Sequence, residues 1–366
     1  MKIALICLLA LCHNATGFVA LCSLPSPKSL LPSLLVPQHR YAISTRQSRT
    51  CKINMSFWEG IQQQLTTARL AVAPRTKGDS KCPVLICPAQ LSIPEDYRNM
   101  MNELNDRGFP AYCADLTRLG WITGLLPSAF SLEYISGELV PSKTLKFYYE
   151  AIARALEELK ANHPGEGVHL VGHSIGGWVS RAWLAEECSD ADREITLSLT
   201  TLGTPNNNPP TVNSARRDWT ALDQTRGLLK NINERFPGAH VDGVQYTSVC
   251  GTALQGKFPG NIEEMLASLS YSPLGGDGEA CGDGIIPFSI AALEGSNIVE
   301  LPTSKHSGFI PFPGEAIDLG EEFLWYGSPS LIDEWVGNLD EAERKAKVSR
   351  KLGGGLKATG TRGGLW

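Results

Sequence analysis

Six short apolar runs recur along the middle of the chain, at residues 83–87, 111–116, 168–172, 195–203, 244–250 and 297–301. Several are apolar throughout rather than alternating, which is how strands covered on both faces read. Helical patterns separate the early runs. Pro94-Glu95-Asp96 opens one that extends to about Arg107 and closes at Gly108. Residues 142–161 carry a stripe of Leu145, Tyr149, Ile152, Leu156 and Leu159 at helical spacing, stopped by Pro164. A third helix is expected from the glycines after Ser174 to about Glu187, and residues 328–338 supply a last one. Strand–helix–strand alternation predicts an α/β fold with a mostly parallel sheet of about six strands and helices on both faces. Three connections, 117–142, 206–243 and 252–282, are longer than bare turns. All leave the carboxyl ends of predicted strands, so they are expected to roof one edge of the sheet as loop or lid insertions.

Composition bounds the picture. The chain has 366 residues, 42% hydrophobic and 19% charged, ordinary for a globular protein with one sizeable core. Its net charge of −5 conceals an uneven distribution. Residues 1–58 hold six bases and no acid, and residues 344–366 hold seven bases and no acid. The middle therefore carries all 38 acids against 20 of the 33 bases, which argues against nucleic acid as a partner.

The amino-terminal end reads as an address. Lys2 precedes an apolar run, 3–11, too short to span a bilayer, with Ala15 and Gly17 placed for cleavage. The following segment contains Ser, Pro and Arg but no acid, and Phe18 opens it. Signal plus transit composition resembles the two-part presequence of secondary plastids, with plain secretion as the alternative. The expected organisation is a signal peptide at 1–17, a transit-like segment at 18–56, a leading helix and linker at 57–82, the folded domain at 83–343, and a basic Gly-rich tail at 344–366. The tail reads as flexible, with loose peripheral contact with an anionic membrane surface as the alternative.

The chemistry centres on Gly172-His173-Ser174-Ile175-Gly176. The letters G-x-S-x-G alone are weak, but an apolar strand runs into Gly172 and a helix follows Gly176. A nucleophilic serine needs that strand–elbow–helix context, because its oxygen must project over the sheet edge on a tight turn. With Leu202-Gly203-Thr204-Pro205, Gly282-Asp283-Gly284-Ile285-Ile286-Pro287 and His306, this segment resembles the α/β-hydrolase superfamily over residues 83–340. Within it the chain is similar to the lipase-like branch that includes GPI inositol-deacylase-like hydrolases of plastids and cyanobacteria. The resemblance implies an α/β-hydrolase fold with minimal sheet, and a catalytic order of serine, acid, histidine.

Ser174 is then the nucleophile and His306 the base, because His306 lies just past the last predicted strand. His173 adjoins the nucleophile and reads as packing; His240 precedes a strand, at the wrong end. Asp283 is the candidate acid, with Asp277 as competitor. The oxyanion calls for two backbone donors. The amide of Ile175 is one; the other belongs to the turn after the first strand, at Gln90, with Leu91 second. Relatives carry His-Gly or Pro-Gly where this chain has Pro88-Ala89.

Leu91, Trp121, Leu125 and Phe309 are candidates for contact with an apolar acyl chain. No H-E-x-x-H, Walker loop or strand-linked G-x-G-x-x-G occurs, so no metal and no cofactor is expected. The expected activity is hydrolysis of a carboxylic ester by a Ser-His-Asp triad. An acyltransferase or thioesterase on the same triad, and a non-catalytic binding protein, are the alternatives. Cysteines past the presequence show no metal spacing and read as reduced core residues. Cys250 and Cys281, which bracket the third long connection, are the one pair offered as a bridge.

Overall fold

The structure is a computed structural model that describes residues 81–208, 225–275, 278–312 and 315–351. The expected presequence and leading helix, the end of the tail from 352, and Asp277 lie outside the described residues. Six strands form the main sheet: β1 (Val84–Cys87), β2 (Ala111–Cys113), β3 (Val168–His173), β4 (Thr196–Leu202), β5 (Gln245–Gly251) and β6 (Asn297–Leu301). Their order is β2-β1-β3-β4-β5-β6, and every neighbouring pair is parallel. The apolar run at 111–116 outlasts its strand, because Ala114 and Leu116 continue into the core as loop.

Strand side chains alternate between two cores, as the pleat requires. Leu85, Leu170 and Leu199 face one way, against Tyr148 and Ile152 of helix α3 (Lys146–Asn162) and Trp178 and Trp183 of α4 (Ile175–Glu186). Val84, Ile86 and Val171 face the other, against α1 (Arg98–Asp106) and α6 (Pro329–Trp335). Both faces are thus covered, which explains the unbroken apolar runs.

Two features depart from the sequence reading. The long connections contain helices: α2 (Arg118–Ala129) in the first, Leu228–Arg235 in the second and α5 (Ile262–Gly275) in the third. In α2 the apolar residues are scattered round the axis, and Pro127 lies inside it, so no stripe marks it. Thr117 starts it by accepting from the amide of Gly120 at 2.9 Å. The expected last helix is two, α6 and then α7 (Gly337–Lys351), which reaches into the stretch expected as tail. Glu343 docks α7, accepting from the amide of Cys82 at 2.8 Å and lying 3.6 Å from Nε2 of buried His169.

The sheet order sets the site. From β1 the chain steps out to β2, then crosses back past β1 to β3. Cys87 is in register with Gly172, so the turns after β1 and β3 leave side by side in the crevice where strand order reverses. Open α/β sheets bind ligands at that crevice.

Candidate active site

β3 ends at His173 and α4 begins at Ile175, leaving Ser174 alone in the turn at φ 54° and ψ −125°. A non-glycine residue there is strained, and surrounding contacts must hold it. They do. The Ser174 amide donates to the carbonyl of Leu202 at 2.9 Å. A Cβ on Gly172 would stand 2.3 Å from Gly177 Cα, and one on Gly176 would stand 2.1 Å from the Cys87 carbonyl oxygen. Only glycine permits this approach of α4 to β3 and to the turn after β1.

Two other loops converge on Ser174. Asp283 follows the two-residue strand Cys281–Gly282, and His306 stands a few residues past β6. The His306 amide donates to the Asp283 carbonyl at 2.9 Å. His306 Nδ1 lies 2.8 Å from Asp283 Oδ2, and Nε2 lies 3.1 Å from Ser174 Oγ. A carboxylate accepts only, so Nδ1 carries the hydrogen and Nε2 presents its lone pair to the Ser174 hydroxyl.

Asp283 is fully enclosed yet well supplied with donors. Its Oδ1 accepts from the amides of Ile285 at 2.9 Å and Ile286 at 2.7 Å, and its Oδ2 accepts from the Tyr326 hydroxyl at 2.7 Å. Burial pushes the carboxyl upward, but His306 and the two amides outweigh it and hold Asp283 below the ordinary carboxylate range. Tyr326 in turn accepts from the amide of Gly251 at the end of β5.

The turn after β1 is anchored from behind. Tyr148 donates to the Pro88 carbonyl at 2.6 Å, Arg118 to that of Leu91 at 2.6 Å, and the Trp121 indole to that of Ser92 at 3.2 Å. Leu91 has φ 59°, which turns the backbone sharply. The Ala89 amide is committed to Tyr97 Oη at 2.8 Å.

The candidates for acyl contact separate. Leu91 and Leu125 are partly buried against the first core. Phe309 is almost enclosed, with its ring edge-on to Tyr97 and Trp325. Trp121 is fully buried, edge-on to Phe147 and Tyr148, and offers a substrate no surface; it is a core residue that fixes the turn. His173, expected as packing, makes two hydrogen bonds: Nδ1 with Tyr97 Oη at 2.7 Å and Nε2 with the His306 carbonyl at 2.9 Å. Tyr97, Tyr326 and the bonding role of His173 carry no motif and escape sequence reasoning. Cys250 and Cys281 are both free, the first buried and the second exposed, so the offered bridge is not formed.

The sheet order and the elbow define an α/β-hydrolase fold. A family model described as alpha/beta hydrolase fold matches residues 83–228. The fold of the chain is that of the α/β hydrolases. Among solved structures it is similar to a lipase of Bacillus licheniformis in mature form, at 16% identity and TM-score 0.42, over 65% of this chain and 90% of that one. A metagenomic carboxyl esterase is similar at 11% identity and TM-score 0.47, over 75% and 80%. A dienelactone hydrolase of Anabaena variabilis is similar at 12% identity and TM-score 0.35, over 75% and 88%. No curated protein sequence is significantly similar to the chain.

Proposed function

We propose that the chain is a serine ester hydrolase, lipase- or esterase-like, with Ser174, His306 and Asp283 as its catalytic triad. The observation that carries this reading is the continuous file of side chains at the crevice: Ser174 Oγ to His306 Nε2 at 3.1 Å, and His306 Nδ1 to Asp283 Oδ2 at 2.8 Å. His306 takes the Ser174 proton as Oγ attacks the ester carbonyl carbon. Asp283, anionic and anchored, holds the Nδ1–H tautomer and stabilises the imidazolium. The tetrahedral oxyanion is received by the amides of Ile175 and Gln90. His306 then protonates the departing alkoxide, leaving an acyl group on Ser174. Water, deprotonated by the same imidazole, releases the carboxylic acid and restores the enzyme. No metal or organic cofactor enters this sequence. Leu91, in the turn after β1, and Leu125 of α2 are both partly buried against the first core and suit an apolar acyl chain.

Turnover of a p-nitrophenyl ester series by the wild type and by Ser174→Ala tests the reading. The wild type is expected to hydrolyse at least one member, and Ser174→Ala to lose about four to six orders of magnitude. Equal turnover by the variant refutes it.

For the address, the acid-free, base-containing residues 1–58 support delivery to a plastid through the secretory route, with Phe18 read after signal cleavage.

A further inference from the structure

The turn after β1 and the loop bearing His306 come from opposite ends of the folded domain, yet one file of hydrogen bonds joins them. The Ala89 amide donates to Tyr97 Oη at 2.8 Å. Tyr97 Oη lies 2.7 Å from His173 Nδ1, and His173 Nε2 lies 2.9 Å from the His306 carbonyl oxygen.

Elementary donor counting fixes the direction of every bond. A carbonyl only accepts, so His173 Nε2 carries the hydrogen. An amide only donates, so the Tyr97 oxygen accepts from Ala89 and gives its own hydrogen to Nδ1. A neutral imidazole in one tautomer completes the file. Tyr97 and His173 are fully buried, and the rings of Phe309 and Trp325 pack around both. Burial, followed by the nearby His306, pushes the His173 imidazole down to about 3, so it stays neutral at working pH.

We propose that Tyr97 and His173 are positioning residues that couple the turn beside the oxyanion to the general base. The proposal rests on the triad reading above, and gives both residues a part in it. Neither touches a substrate. Tyr97 fixes the Pro88–Ala89 peptide, and through it the direction of the next amide, that of Gln90. His173 fixes the backbone of His306, and therefore the height of its imidazole over Ser174. Both ends of the reaction centre are then set against one rigid strut between the residue that caps α1 and the end of β3, rather than independently. Misplacement of a reacting group by about 1 Å costs roughly a hundredfold in rate, so a strut of this kind acts on turnover more than on substrate affinity.

Steady-state kinetics on p-nitrophenyl butyrate, with melting temperatures alongside, test the coupling. Tyr97→Phe and His173→Leu are each expected to lower kcat by about tenfold to a hundredfold with KM within about twofold. The double variant is expected to fall no more than about threefold below the worse single one, since a file broken once is already broken. His173→Gln, whose side chain accepts at one atom and donates at another, is expected to recover most of kcat. If His173→Leu fails to fold, Tyr97→Phe and His173→Gln decide the matter. Unchanged kcat in folded Tyr97→Phe, losses that multiply in the double variant, or no recovery in His173→Gln overturns the proposal. If the triad reading itself is wrong, the wild type shows no Ser174-dependent turnover; if only the coupling is wrong, that turnover persists and the variants match it.

Discussion

His173 shows how a single side chain sets a pH response. Its imidazole is neutral in the fold at about 3 against an ordinary 6.5, chiefly through burial and then through His306. Below about pH 6.5 the unfolded chain takes up a proton that the folded chain refuses. Stability from this group is therefore complete above pH 6.5 and falls steadily as pH drops toward 3. The loss between pH 7 and pH 5 amounts to about 2 kcal/mol. His173→Gln keeps the hydrogen-bonding atoms and cannot titrate, so urea unfolding at the two pH values should show that variant losing about 2 kcal/mol less than the wild type. His169 and His240 are displaced in the same direction by burial, but they are present in both proteins and cancel in the difference. The residues legible in the sequence were those whose chemistry is announced locally: Ser174 by its flanking glycines, Asp283 by Gly-Asp-Gly, and His306 by its place after the last strand. Tyr97, His173 and Tyr326 were not legible as partners, because their bonds join segments 76, 133 and 43 residues apart.

The elbow is the element on which the site depends, and its geometry is steric. Gly176 brings α4 against the carbonyls of Cys87 and Pro88, which sets the helix amino terminus beside the turn after β1. A methyl group there would stand 2.1 Å from the Cys87 oxygen, and backbone cannot yield as a side-chain tip can. Gly176→Ala should therefore destabilise the fold by about 1–3 kcal/mol, read from the urea midpoint, and displace Ser174. Unchanged stability with full turnover would mean that the two elements are not in this contact. All six strands were legible, since a sheet covered on both faces needs apolar side chains in both directions. Helix α3 was legible by its stripe. Helix α2 was not, because Trp121 alone is buried and its other apolar residues point all round the axis. Helix α7 was hidden by its basic composition; it is held by buried Leu339 and Ala342 and by Glu343, bound to Cys82 and beside His169.

Along the full chain, charge divides the sequence more sharply than any fold boundary. An acidic body between two acid-free ends suits the proposed hydrolase and its proposed address. A fluorescent protein fused to residues 1–58 is expected in the plastid, and changing Phe18 is expected to leave it on the secretory route; export of the unaltered fusion to the medium would replace the plastid proposal with secretion. None of the described helices is long and apolar enough to cross a membrane. Covalent capture tests the proposed roles of Ser174 and the two groups behind it without knowledge of the substrate. A fluorophosphonate reacts with a serine whose proton is being taken by an oriented base. Mass spectrometry of the labelled protein should place one adduct on the peptide containing Ser174. The labelling rate should vanish in Ser174→Ala, fall by about ten-thousandfold in Asp283→Asn, and stay at the wild-type value in Asp277→Asn. An adduct on another residue, or full-rate labelling of Asp283→Asn, would contradict the account.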